Sequence, residues 1–247
     1  ITAVNNAPSF QFASASPYAV AENSGAFEIP HFVSAMLRGP LGADDEQSQQ
    51  VVLSCVGTPA AMFQMQPALT MTSTTAAKVS MAFAENVFGT AFVNVTLRDD
   101  GGVAHGGENE AFRVFTVSVS QVNQPPTFAM PSAVTVLQNA SAEQTITRAG
   151  FVSGASSGAG EPEGQQTLSV SVSADSGTMF SALPTIDGAG SGRLSFTLKA
   201  GATGAAAVSV TLADDGSPPL STTQSFQVLV TPVNQAPTFT AGEDVTV

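Results

Sequence analysis

Tryptophan is absent from this 247-residue chain, which has one tyrosine, one cysteine and two histidines. Each shortage excludes something. One cysteine rules out a disulfide framework within the chain, so Cys55 is either a small residue in a strand or a free thiol that pairs with another chain. Seven Lys and Arg against 19 Asp and Glu give a net charge of −12. That leaves no basic patch to neutralise nucleic-acid phosphates or an anionic membrane surface. Only His31 and His105 could act as imidazole bases, and no spacing pairs either with a nucleophile in a Ser/His/Asp or Cys/His site. Nothing selects a glycosidase pair among the loop carboxylates, and Tyr18 alone makes no sugar platform beside them. The chain is therefore expected not to be an enzyme. No run approaches the ~20 apolar residues of a membrane helix. The opening ITAVNNAPSF has no leader character and is expected to lie inside a longer array.

What the chain does have is a stretch written twice. VNVTLRDDGG at residues 93–102 returns as VSVTLADDGS at 208–217, a shift of 115 positions (208 minus 93). Val93, Val95 and Leu97 alternate with Asn94 and Thr96, the period-two pattern of a strand with one buried face. Hydrophobic residues make up 43% of the chain and recur in this rhythm, so each copy has material for a core. VVLSCV, KVSMAF and FRVFTVSVSQV in the first half are answered by TLSVSV, RLSFTL and FQVLVTPV in the second. MFQMQPAL is answered by MFSALPTI, and Phe32 by Phe151. No segment keeps a 3.6-residue period for more than a turn or two. GAGSG at 188–192 lacks the lysine and following helix of a phosphate loop and reads as a hairpin turn.

A second motif punctuates the chain. VNNAPSF at 4–10 returns as VNQPPTF at 122–128 and VNQAPTF at 233–239. Proline fixes φ and extends the residue before it, so each copy should be a short, stiff connector, unlike a Gly/Ser tether. The phenylalanine closing each, Phe10, Phe128 and Phe239, is expected to plug the start of a domain into its own core. The boundaries that follow are 1–121, 122–232 and the start of a third repeat at 233–247. The fold class is all-β: tandem antiparallel sandwiches of about seven strands each.

Carboxylates near strand ends are the recurrent polar feature: Glu22, Asp44, Asp45, Glu46, Asp99 and Asp100 in the first unit, then Glu161, Glu163, Asp214 and Asp215 in the second. Two readings stand. Calcium takes six to eight hard oxygens, which loop carboxylates could supply. Alternatively, Asp99, Asp100 and their repeats cap turns by accepting backbone N–H groups. ADDGSPPLS followed by VNQAPTF, together with VAENSG at 20–25, resembles the closing and opening motifs of a cadherin-type repeat. The whole period is similar to the cadherin-like, immunoglobulin-like repeats of large bacterial and algal surface proteins. That resemblance implies calcium ligands at Glu22, Asp100 and Asp215 and linker positions at Asn123 and Asn234. It is incomplete: Asn6, Gln124 and Gln235 stand where the family's linker aspartate would be, and Gln138 replaces the early glutamate. No other cofactor is implied.

Asn94-Val95-Thr96 and Asn139-Ala140-Ser141 match the N-glycosylation pattern, with Asn94 expected on the outward face of its strand. The expected role is architectural: a module of an extracellular or cell-surface stalk, filament or appendage. Its partners would be neighbouring repeats of the same chain and other copies or filament proteins. The alternative is a surface adhesin gripping a protein or glycan ligand with loops 101–111 or 153–165.

Overall fold

A computed structural model describes residues 4–162, 164–175, 178–234, 236–237 and 240. Contacts divide the chain into two units, Ile1–Val122 and Asn123–Val247. Phe239, Gln235 and Glu163 lie outside the described residues.

The first unit is built around β7 (Gly89–Asp99). Ala91, Val93, Val95 and Leu97 are wholly buried, and the residues between them face out, as period two requires. On one side β7 pairs antiparallel with β8 (Glu110–Ser120), on the other with β4 (Val51–Thr58). β2 (Tyr18–Ala21) joins the far edge of β8 in parallel, giving the order β2-β8-β7-β4. The facing sheet has the order β1-β3-β6-β5, from β1 (Ser9–Phe12), β3 (Ala26–Leu37), β5 (Phe63–Met71) and β6 (Ala77–Phe83). Between the sheets Phe12 and Phe32 both lie edge-on against Phe115, at 5.2 and 4.8 Å between ring centres. Phe10 is buried as expected and carries the Arg113 guanidinium over its ring at 5.9 Å. Pro30 has no N–H for the ladder; there β3 shifts register against β6, with His31 and Ala35 at φ 51° and 50°.

The second unit repeats the plan. One sheet runs β10-β17-β16-β13, from β10 (Ala133–Leu137), β13 (Ser169–Ala174), β16 (Gly204–Ala213) and β17 (Ser221–Thr231). Opposite it, β11 (Gln144–Arg148) pairs with β15 (Arg193–Leu198), which pairs with β14 (Phe180–Asp187). β9 (Thr127–Ala129) pairs with β12 (Ser153–Ser156). Phe151 meets Phe226 edge-on at 4.7 Å, as Phe32 meets Phe115. Phe128 is buried in this core. The 188–192 segment closes the β14–β15 hairpin through one helical turn, with Gly192 left-handed at φ 55°.

Two details refine the expected plan of about seven antiparallel strands. Among the described residues the units have eight and nine strands. The counterpart of β3 is broken into β11 and β12 around Gly150 (φ 61°). One pair in each unit is parallel, β2–β8 and β10–β17, because the first strand crosses to the opposite sheet partway along. Cys55 lies on the inward side of β4, half-buried, with its Sγ donating to the Pro67 carbonyl at 3.1 Å. Burial pushes its thiol up to about 11, so it stays protonated and unreactive.

Candidate functional site

The inward parity of β7 does not stop at Leu97. Two residues on, Asp99 also faces in and is buried, at the end of the sandwich where the chain arrives. Its Oδ1 accepts from the Asn5 side-chain amide at 2.9 Å and from the Gly101 N–H at 3.0 Å. Asn5 is the hub. Its Nδ2 also donates to the carbonyls of Gly102 (3.1 Å) and Glu108 (2.8 Å), and its Oδ1 accepts from Gln49 Nε2 at 2.7 Å. Next along the chain, the Asn6 backbone N–H and side-chain amide both donate to buried Glu46, at 2.7 and 2.9 Å. Two buried carboxylates thus hold the connector through charge-assisted bonds from neutral donors, the stronger class of hydrogen bond. Glycine is required at 101: a Cβ there would stand 2.1 Å from Asn5 Oδ1.

The second unit closes the same clasp. Asn123 Nδ2 donates to Asp214 Oδ1 (3.0 Å) and to the Pro218 carbonyl (2.8 Å), and its Oδ1 accepts from Gln166 Nε2 (2.7 Å). The Gln124 N–H donates to Glu161 at 3.0 Å. Gly216 and Leu220 add backbone N–H bonds to Asp214, at 3.0 and 2.9 Å. Burial alone would raise the Asp214 carboxyl, but Leu220, Asn123 and Gly216 together hold it below the usual range.

At the departing end of the first unit, Glu22 is buried and its Oε1 accepts the Val122 N–H at 2.7 Å. Gln138 does the same work in the second unit, accepting the Val233 N–H at 3.1 Å. The neutral amide suffices because the task is to accept one N–H.

Within the first unit the expected metal residues Glu22 and Asp100 do not converge. Glu22 lies at the departing end of the first unit and Asp100 at the arriving end, with the eleven-residue β8 between them, roughly 30 Å at 3.3 Å per residue. Asp100 and Asp215 are on the outer side, each accepting one backbone N–H, from Gln50 (2.9 Å) and Thr167 (2.7 Å). The Thr167 N–H and hydroxyl hold Asp215 below the ordinary carboxylate value. Among the described residues no three His, Cys, Asp or Glu gather. Within the first unit the clasp leaves Glu46 Oε2, Asp99 Oδ2 and Gln49 Oε1 without partners, three oxygens where calcium takes six to eight. Within the first unit, calcium does not fit this donor set, because Asn5 and Asn6 already donate to one oxygen of each acid and too few oxygens remain. Melting of the first unit on its own, in chelator and in millimolar calcium, should coincide. A bound ion at 100-fold its Kd would add about 2.7 kcal/mol, a rise of roughly ten degrees or more for a domain of this size.

Asn94 faces out from the middle of β7, its Nδ2 donating to Thr58 Oγ1 at 3.3 Å. Asn139 is exposed after β10, its Oδ1 accepting from the Ser141 and Ala142 N–H groups in a tight local turn. His31 and His105 are exposed. Neither lines the clefts around Ala155, Asn23 or Val4. No helix among the described residues is long and apolar enough to cross a membrane.

Glu46 and Glu161 stand among the strand-end carboxylates of the sequence, but their grip on the connector, and Gln49 and Gln166 altogether, escape a reading of it. Their loops look like solvated polar connections, and glutamate precedes glutamine by three residues in one (49 minus 46) and five in the other (166 minus 161). Asp99 and Asp214 do accept backbone N–H groups in their turns, as the turn-capping reading has it, and their burial follows from continuing the strand count two residues past Leu97 and Leu212.

No protein-family model and no curated protein matches this chain. Among solved structures it is similar to the protocadherin gamma B2 extracellular cadherin domains 1–5, at 18% identity and a TM-score of 0.55. The match covers 95% of this chain and 42% of that one, so the chain spans less than half its length. A second structure, protocadherin gamma B2 extracellular cadherin domains 3–6, aligns at 19% identity and a TM-score of 0.49, over 91% of this chain and 50% of that one. At these identities the likeness concerns the fold alone, and the fold is that of cadherin-like β-sandwiches.

Proposed function

We propose that this chain is a structural module of an extended extracellular stalk, filament or cell-surface appendage. Residues 1–121 and 122–232 are its consecutive repeats, and 233–247 opens a third. The observation that carries the reading is the clasp. In each unit a buried Asp and a buried Glu grip the Asn-bearing connector motif, so the chain enters each sandwich along a fixed path. Connectors held by several hydrogen bonds and stiffened by proline suit transmission of force and direction. The partners are neighbouring repeats and other copies or filament proteins. An extracellular setting agrees with the fold shared with protocadherin extracellular domains. It also agrees with an acidic surface and a single shielded thiol.

The adhesin alternative rests on loops, and those loops have other duties. Gly102 and Glu108 give their carbonyls to Asn5, while Ser153–Ser156 is a strand and Ser157 is buried. Electron microscopy of a longer array should show beads on a straight fibre with narrow bend angles, and substituting Ala for the connector asparagine should broaden them. Compact particles, or an equally broad distribution before and after substitution, would overturn the stalk reading.

A further inference from the structure

The outward face of the β2-β8-β7-β4 sheet is unusual for a solvated surface. Val52, Val56, Phe92, Phe112 and Val114 are 66, 53, 40, 62 and 45% exposed there. Register gathers them: Asn94 lies opposite Val56 on one side and Val114 on the other, and Thr96 lies opposite Phe112. Phe92 precedes Asn94 by two residues and so shares its face. Asn94 therefore sits at the centre of the apolar group, within cross-strand contact distance of its neighbours.

The fold does not require this. In the second unit Ser209 takes the place of Asn94, opposite Ser173 and Ser225, and Thr211 lies opposite Thr223. Ala207 stands for Phe92 and Ser169 for Val52. There the hydroxyls bond one another, Ser209 to Ser225 at 3.0 Å and Thr211 to Thr223 at 2.8 Å. At the matching positions of the second unit, where the glycosylation sequence is absent, these apolar side chains are absent too. An exposed apolar group of this kind marks a surface that something covers.

We propose that Asn94 carries an N-linked glycan whose first sugars lie on Phe92, Phe112 and Val114. In the transfer step, Asn94 Nδ2 attacks C1 of the reducing sugar of a lipid-pyrophosphate-linked oligosaccharide. The C1–O bond to pyrophosphate breaks, the lipid pyrophosphate leaves, and one amide proton passes to the transferase. The remaining N–H donates to Thr58 Oγ1 when the strands later pair. The step precedes closure of the sheet, while residues 92–96 are still extended and accessible. Once the sheet has formed, the apolar C–H face of the first pyranose packs on the ring faces, which are negative and attract it. The proposal rests on the extracellular reading above, since only exported chains meet the transferase.

The test is the chain exported from cultured eukaryotic cells behind an added leader, so that its result bears on the site and not on the natural location. Glycopeptide mass spectrometry should find Asn94 occupied in most molecules. The glycoprotein should bind anilinonaphthalene sulfonate several-fold less than the Thr96→Ala variant. Trimming to a single N-acetylglucosamine should preserve that difference, and Phe112→Thr, the residue of the second unit, should remove most of it. An unoccupied Asn94 overturns the proposal, as does occupancy that leaves dye binding unchanged. Dimerisation of the unglycosylated chain through this face would give the face to a second copy and also overturn it.

Discussion

Phe128→Ala is expected to destabilise the second unit by about 3–5 kcal/mol, the usual loss for a large aromatic deleted from a core, and to leave the first unit's melting where it was. Phe128 belongs to β9, three residues long, and is buried in the second core. So short a strand gains little from its ladder bonds, and the ring supplies most of its hold. Its backbone is also engaged, since the Phe128 carbonyl accepts from Gln224 Nε2 at 2.7 Å. Truncation therefore leaves a cavity and loosens the anchorage of the connector just before it. Calorimetry of the wild type and the variant separates the outcomes. One transition should fall by well over ten degrees, because 1 kcal/mol moves a domain of 60–100 residues by roughly 4–8 °C. Equal lowering of two transitions, or a single merged one, would show that Phe128 is not private to the second core.

How much of this was legible in advance divides along a physical line. The strand faces were, because period two is local: Val93, Val95 and Leu97, and again Val208, Val210 and Leu212, are all buried. The pairing of Phe32 with Phe151 as equivalents was also legible, since each lies in the same order of elements. The clasp was not, because it joins residues about a hundred positions apart: Asn5 to Asp99, Asn123 to Asp214. Nothing in the local pattern around Gln49 or Gln166 announces that a side chain in a polar loop will turn inward to an asparagine at the domain's start. Family motifs pointed to Asp100 and Asp215, whereas strand parity points to Asp99 and Asp214. The parity argument finds the buried acids because it follows from backbone geometry. The apolar face around Asn94 was half visible: the outward aspect of Asn94 followed from alternation, but its neighbours on β4 and β8 needed the register.

Asp214→Ala should be nearly as damaging to the second unit as loss of Phe128, and it carries a pH signature that a core mutation lacks. Asp214 accepts from Leu220, Gly216 and Asn123. Its removal leaves three donors inside a closed loop, each worth about 1–3 kcal/mol if unsatisfied. These are neighbours in one network and do not add, so a total of about 3 kcal/mol is expected. Alanine also removes one of the three bonds that hold the Asn123 side chain, so the connector should become more accessible to protease near residue 123. In the wild type the folded Asp214 carboxyl titrates below its ordinary value of about 3.9. Its stabilising share is thus complete above about pH 4 and drains away as the pH falls through the lower, folded value. Asp215 contributes in the same sense. The second unit should accordingly lose stability below about pH 4, and Asp214→Ala should flatten part of that slope while lowering stability at neutral pH. Asp214→Asn, which keeps the shape but presents an amide to three N–H donors, should fall between the two. Denaturant melts of all three proteins from pH 3 to 7 provide the measurement. Parallel curves for wild type and Asp214→Ala would mean that the buried carboxylate is not what gives the second unit its acid sensitivity.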